Sequence, residues 1–300
     1  MEFSKTPKFG LSKDEKREFR KKFEQKSTPK GVTLILLTHL SIIASALIVV
    51  DGINSPELLY SIILTLVGII FISRQLRALE NIVHFGSHYN ITKGNKNDII
   101  INILAAWPVL QDVRNYRKSH MIHHSRYGAS ADPCRIRYDR LKHLFSSRSW
   151  LDKAKGVLVY YKNFYQDFGF DLNTLVRFLI AHALCFGIIT LCLGLSTAQS
   201  YYILMAVCFF FVLPLIRMVA ELGEHDYDIS EDVLESTYTN VSLLDRLIFH
   251  PAGDAYHVLH HVHPTIPWWN QRKAHDYLVK SDHYYSTAPK RDGIFPRIAS

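Results

Sequence analysis

Four stretches of the 300-residue chain are almost unbroken apolar runs: Val32 to Val50, Leu58 to Ser73, Leu175 to Leu195 and Tyr201 to Leu215. Each approaches the ~20 residues that a helix needs to cross the hydrocarbon of a bilayer. One such run also suits a buried helix of a soluble protein. Four in one chain, two of them parted by only a few polar residues, predict membrane-spanning helices at about 32–50, 58–73, 175–195 and 201–217.

The loops give these spans a direction. Asp51-Gly-Ile-Asn-Ser-Pro-Glu57 carries acids but no Lys or Arg, and Gly194-Leu-Ser-Thr-Ala-Gln-Ser200 carries no charge. Arg74 and Arg77 follow the second run, and Arg217 closes the fourth. Basic residues stay on the cytoplasmic side, so both termini and the long segment after Arg74 are expected there. Residues 1–30 are polar and basic, with Phe19 and Phe23 at i and i+4; a short interfacial helix or a solvated arm fits that pattern. The first run continues past Ala44-Ser-Ala46 and follows ~30 polar residues, so it reads as an uncleaved span and not as a secretory signal. Ile99 to Leu110 is apolar but short and holds Pro108, which predicts an interfacial or re-entrant segment. The fold class expected is an all-α integral membrane protein with four transmembrane helices. A cytoplasmic helical cap comes from residues 74–173 and 218–283, within a unit of residues 31–283 that precedes a tail at 284–300.

Composition alters this little. The net charge of +8 would suit nucleic acid in a soluble protein; beside membrane spans it reflects loops that face an anionic leaflet, and no nucleic-acid partner is expected. The cysteines at 134, 185, 192 and 208 form no C-x-x-C pair, so they are expected as buried thiols and not as a zinc or dithiol site.

Histidine changes the picture. His257-Val-Leu-His260-His261 places three imidazoles at i, i+3 and i+4 on one helical face. His120-Met-Ile-His123-His124 repeats the arrangement, and His84-Phe-Gly-Ser-His88 adds a pair at i, i+4. Neutral imidazole is a ligand for iron, zinc, copper or nickel, and all three clusters fall on the same predicted face of the membrane. These eight histidines, with His225 as a ninth, exceed what one ion takes, so a two-metal site is expected. Two neighbouring redox metals suit oxygen activation.

These boxes, H-x-x-x-H followed by two H-x-x-H-H with spans between them, resemble the membrane-bound fatty acid desaturase and hydroxylase superfamily. The resemblance extends to Tyr116-Arg117 before the second box, Asp132-Pro133 after it, Tyr256 and His263-Pro264 around the third, Ile266-Pro267-Trp268, and Arg217 upstream of Glu224-His225. It covers residues from about 30 to 280 and implies a desaturase-like domain. It implies two iron ions held by His84, His88, His120, His123, His124, His225, His257, His260 and His261. Dioxygen is the implied co-substrate, with a lipid or acyl substrate (free, CoA-, carrier-protein- or lipid-linked). The implied partner is a separate electron donor such as ferredoxin, rubredoxin or cytochrome b5. Two departures stand out. Phe85 occupies a place where the family usually has an acid. Glu221 stands one turn before His225, where some members carry an amide that reaches iron through water; a carboxylate there could bind iron directly or hold a ligand imidazole, the alternative being an exposed Glu at a helix end.

The remaining histidines read differently. His263 is left out of the ligand set, His39 and His182 are expected as neutral imidazoles bonded to neighbouring helices, and His143, His275 and His283 as surface residues. His250-Pro-Ala-Gly253 resembles a cytochrome b5 haem motif without the domain to support it. The function expected is desaturation of a fatty acyl chain in a narrow apolar tunnel, in a bacterial inner membrane. Oxygen insertion by a hydroxylase or ketolase is the alternative, and metal transport a remote one.

Overall fold

The computed structural model describes residues 10–53, 55–164 and 171–293. Helices account for nearly all of the regular structure: α1 Lys13–Phe23, α2 Thr28–Ile53, α3 Leu58–Gly86, α4 Gly94–Ile101, α5 Val113–Ser125, α6 Pro133–Ser146, α7 Trp150–Phe164, α8 Leu172–Leu193, α9 Leu195–Val207, α10 Leu213–Glu224, α11 Val233–Ser236, α12 His257–Val262 and α13 Gln271–Ser281. A two-residue parallel pairing of Thr239–Asn240 with Lys290–Arg291 ties the chain end back to the cap. Residues 284–293 are therefore attached, and residues 294–300 of the expected tail lie outside the described residues.

Four helical stretches are long and apolar enough to cross a membrane: Thr28–Ile53, Leu58–Gly86, Leu172–Leu193 and Leu195–Glu224. Their outer faces carry exposed residues such as Leu40, Leu66, Leu184, Leu191 and Ile203, a lipid-facing pattern. Packing among them is close. A Cβ on Gly68 would collide with Val49, so glycine lets α3 approach α2. The loop expected at 194–200 is reduced to one residue. Gly194, at φ +89°, makes the whole reversal, and Leu195-Ser-Thr-Ala-Gln-Ser begins the next helix because nothing in it opposes helix formation. The fourth stretch widens into a π turn at Cys208–Val212, just before Pro214 withdraws an amide from the helical ladder.

The short apolar segment is not among the helices long enough to cross a membrane. After α4 it widens into a π turn at Asn102–Ala106, tightens into a 3-10 turn at Trp107–Val109, and reverses at Leu110, φ +57°. Irregular backbone at this depth needs partners for its carbonyls. Histidines within the spans supply them: His39 Nε2 lies 2.6 Å from the Leu104 carbonyl and His182 Nε2 lies 3.1 Å from that of Pro108.

Helix α1 packs on protein. Ser12 and Glu15 form a capping box at the start of α1, and Phe19 and Phe23 are buried against Tyr277 of α13 and beside His263. The i, i+4 phenylalanines therefore face protein, in a core shared with Leu259, Ile266, Leu278 and Tyr285. His275 corrects the surface expectation as well. It is buried, with Nδ1 2.7 Å from the Tyr285 hydroxyl and its ring 4.9 Å from that of Tyr256.

Burial pushes the His275 imidazole down to about 4 from an ordinary 6.5. Between those two values the unfolded chain binds more protons than the folded one, so stability present above pH 6.5 is lost as pH falls towards 4. Taking the protein from pH 7 to pH 5 should lower its melting temperature, and His275→Gln should flatten that slope. An unchanged slope in the variant would assign the acid sensitivity elsewhere.

Candidate metal centre

The elements converge on one point. α3 runs unbroken past its apolar half because residues 74–83 contain neither Gly nor Pro, and it delivers His84 at its last turn and His88 just beyond. The Asp112 carboxylate caps α5 through the amides of Arg114 and Asn115, which fixes the helix that carries the second box. α10 ends at Glu224, and His225 leaves it in an extended conformation, bridged to Thr237. α12 is only six residues long and is built from the third box.

Two groups of four imidazoles result: His84, His120, His124 and His260 in one, His123, His225, His257 and His261 in the other, with the potential ligand atoms of each group within 4.8 Å of one another. His88 joins the first, its Nε2 being 2.9 Å from that of His120. Each H-x-x-H-H box is shared between the groups. His120 and His124 face the first while His123 faces the second; His260 faces the first while His257 and His261 face the second.

Within the groups the Nε2 atoms lie close: His84 to His260 at 2.8 Å, His124 to His120 and to His260 at 3.0 Å, His257 to His225 at 3.1 Å, and His123 to His261 at 3.2 Å. Neighbouring nitrogens around an octahedral ion with bonds of about 2.1 Å stand about 3.0 Å apart. Hydrogen bonding alone cannot account for the set. His120 Nε2 meets three other Nε2 atoms, and a neutral imidazole has only one N–H to give. An all-nitrogen donor set at this spacing fits a pair of transition-metal ions, and imidazole suits iron.

Three of the opposite ring atoms are anchored. His84 Nδ1 lies 3.2 Å from Asp254 Oδ1, His123 Nδ1 lies 2.9 Å from Asp132 Oδ1, and His225 Nδ1 lies 3.1 Å from both the Tyr127 hydroxyl and Thr237 Oγ1. A partner at Nδ1 fixes the tautomer and turns the Nε2 lone pair towards the middle of the group. Burial pushes His88, His120, His124, His225, His257, His260 and His261 well below their ordinary pKa, which favours neutral rings able to act as metal ligands. His123 departs from them. Burial disfavours its charge, but Cys134 and the Asp132 carboxylate hold its pKa up at about 10.

Around the histidines lies a buried ionic lattice. Arg77 reaches Glu80 and Glu224 at 3.4 Å and Asp254 at 3.3 Å; Arg217 reaches Glu80 at 3.1 Å and Glu221 at 2.9 Å. Glu221, expected beside the metal, belongs to neither four-histidine group. It is held by Arg217, by Arg137 at 3.7 Å and by the Tyr160 hydroxyl at 3.2 Å. The carboxylates that adjoin the histidines are instead Glu224 and Asp254, grouped with His257, and Asp132, grouped with His123 and Cys134. The sequence singled out none of the roles of Asp254, Tyr127 or Thr237. Asp254, three residues before His257, had the only local signal.

His250 is buried, with Nδ1 3.4 Å from Asp254, and His263 sits 3.8 Å from Glu24 on the side of α1. His143 and His283 are exposed.

Replacing His260 by Ala should remove metal from the first group, seen as a fall in bound metal per chain by elemental analysis with the helical content unchanged. Asp132→Asn should leave every imidazole in place yet weaken metal retention by about 10- to 100-fold in chelator competition. Full metal content in both variants would refute this assignment.

The comparisons with known proteins agree with this geometry. The fatty acid desaturase family matches residues 57–290. Dihydrorhizobitoxine desaturase of Bradyrhizobium elkanii is 23% identical over 256 residues, covering 76% of this chain and 71% of that protein. The matched region takes in all nine clustered histidines and three of the four apolar helices. The chain thus belongs to the fatty acid desaturase family, whose members are oxidoreductases of the desaturase and hydroxylase type.

Proposed function

We propose that the protein is a di-iron, dioxygen-dependent desaturase that introduces a double bond into a fatty acyl chain, with electrons from a separate donor protein of the ferredoxin, rubredoxin or cytochrome b5 kind. The observation that carries this reading is the meeting of two four-histidine groups in one buried site, in a chain whose family and relative are both named for desaturation. His84, His88, His120, His124 and His260 would hold one iron, and His123, His225, His257 and His261 the other. Bound there, the irons would supply dioxygen activation strong enough to take two hydrogens from an unactivated pair of methylenes.

The protein's own residues bind, orient and exclude water. Asp132, Asp254, Tyr127 and Thr237 hold rings by Nδ1 so that Nε2 faces inward. Burial of His84, His120, His123, His225, His257 and His260 keeps the centre dry, which limits side reactions with solvent. Glu221 serves, in this reading, to secure the end of α10 that presents His225, through Arg217 and Arg137. Since neighbouring methylenes are chemically alike, the regiochemistry comes from how the substrate is positioned.

The same reading puts both termini and the metal centre on the cytoplasmic face of a bacterial inner membrane, supported by Arg74, Arg77 and Arg217 at the cap ends of the helices and by the acidic Asp51–Glu57 loop at the other end.

Expression in a host, followed by mass spectrometry of lipids and metabolites, should give a species lacking two hydrogens that is absent with His260→Ala. A species with one added oxygen atom would transfer the protein to the hydroxylases, and the same product from the variant would remove the third box from catalysis. For orientation, the exposed Lys96, replaced by Cys, should react with a membrane-impermeant maleimide in inverted vesicles and stay unlabelled in intact cells. The reverse pattern would invert the topology.

A further inference from the structure

Two segments of the cap, outside the four long helices, expose large apolar side chains. In α7, Trp150, Leu151 and Leu158 are 83%, 65% and 69% exposed. Trp150, Ala154 and Leu158 stand at i, i+4 and i+8 and form one stripe along the helix. Gly156, Tyr160 and Phe164 repeat that spacing on another face, which is buried against Leu141 and Phe145 of α6 and Met218 of α10. The second segment covers residues 241–247, with Leu243, Leu244 and Leu247 exposed. It runs into a π turn, Asp245–Phe249, whose Phe249 packs on Ile216 and Ala220 of α10.

Both segments are tied to the ends of membrane helices. The Tyr161 hydroxyl donates to the carbonyl of Phe211 in the fourth apolar stretch, beside the exposed rings of Phe210 and Phe211. Arg74 Nε, just past the apolar half of α3, donates to the Leu247 carbonyl at 2.8 Å. The exposed stripes therefore adjoin the lipid-facing surface of the spans. Charge agrees with that position. Between residues 148 and 162, Arg148, Lys153, Lys155 and Lys162 stand against one acid, Asp152. Lys155 and Lys162 are exposed, and Lys153 Nζ lies 5.6 Å from the centre of the Trp150 ring.

We infer that α7 and residues 241–247 lie in the headgroup layer of the leaflet on the cap side, and that α7 binds anionic phospholipid there. A helix with Trp and Leu on one face and lysines beside it settles at the boundary of headgroups and acyl chains. Its lysine stems cover apolar surface while the ammonium groups reach lipid phosphate, and a net negative headgroup strengthens that contact. This seat depends on the membrane helices alone and not on the reaction at the histidines. It bears on them all the same. α7 and the turn at Asp245–Phe249 hold different faces of α10, and α10 ends where His225 leaves it. Lipid that seats the two segments thereby braces the helix end that presents His225.

Photocrosslinking reads what covers each face. Full-length protein with p-benzoylphenylalanine in place of Leu158 or of Leu243 is reconstituted in vesicles of equal phosphatidylcholine and phosphatidylglycerol, irradiated, and its intact mass measured. Both positions should gain the mass of a phospholipid, as should Leu184 of α8, whose exposed side chain faces the hydrocarbon. Adducts at 158 should be richer in phosphatidylglycerol than those at 184. Lys155→Gln and Lys162→Gln should lower that excess, by up to about fivefold for each lysine. A second copy of the chain or another protein joined at 158 would overturn the inference. So would the lack of a lipid adduct at 158 or at 243 while 184 is labelled, a headgroup ratio at 158 equal to that at 184, or an excess that survives loss of both lysines.

Discussion

Imidazole lone pairs aimed at one another repel unless a cation stands between them, and nine histidines gathered into one buried site make that repulsion the constraint to which the rest of the fold answers. The rings come from the end of α3, from α5, from the residue after α10 and from α12. Each must be neutral and each must be turned the right way. Burial secures the first condition outside His123. For His84, His123 and His225, a carboxylate or hydroxyl at Nδ1 secures the second. Neither condition would hold on a solvated helix, where water would compete for every nitrogen.

The membrane helices and the histidine centre are joined by charge. Arg77 and Arg217 are buried, and their guanidinium groups link α3, α10 and the turn that holds Asp254 through four carboxylates. Removing one partner from such a lattice leaves a buried charge uncompensated, at a cost of about 3–5 kcal/mol. Asp254 is the junction. One of its oxygens faces His84, the other faces Arg77 and His250, and His257 lies 4.0 Å away. The geometry of the site is thereby tied to how the long helices pack.

The third box is short for a helix and is held from outside. Val258 and Leu259 are fully buried in a core that draws in Phe19 and Phe23 of α1 together with Leu278 and Tyr285 near the other end of the chain. A six-residue helix has little stability of its own, so the first and last cap segments hold His257, His260 and His261 at the depth the site needs.

Much of this was legible in the sequence by itself. Spans need only a count of apolar residues, and the four predicted runs became four long helices. Box spacing needs only the pitch of one helix, so the three clusters and the short segment at 99–110 could be recognised without any partner. Other features depended on elements far apart in the chain. His84 and His260 are 176 residues apart, and the division of each H-x-x-H-H box between two groups follows from the rotation of α5 and α12 against α3, which local periodicity does not encode. For the same reason the structure left Glu221 outside both histidine groups and brought Asp254 to them, and buried Phe19, Phe23 and His275 in protein contacts. The sequence determined which residues could share a helical face; only tertiary packing decided what each face would meet.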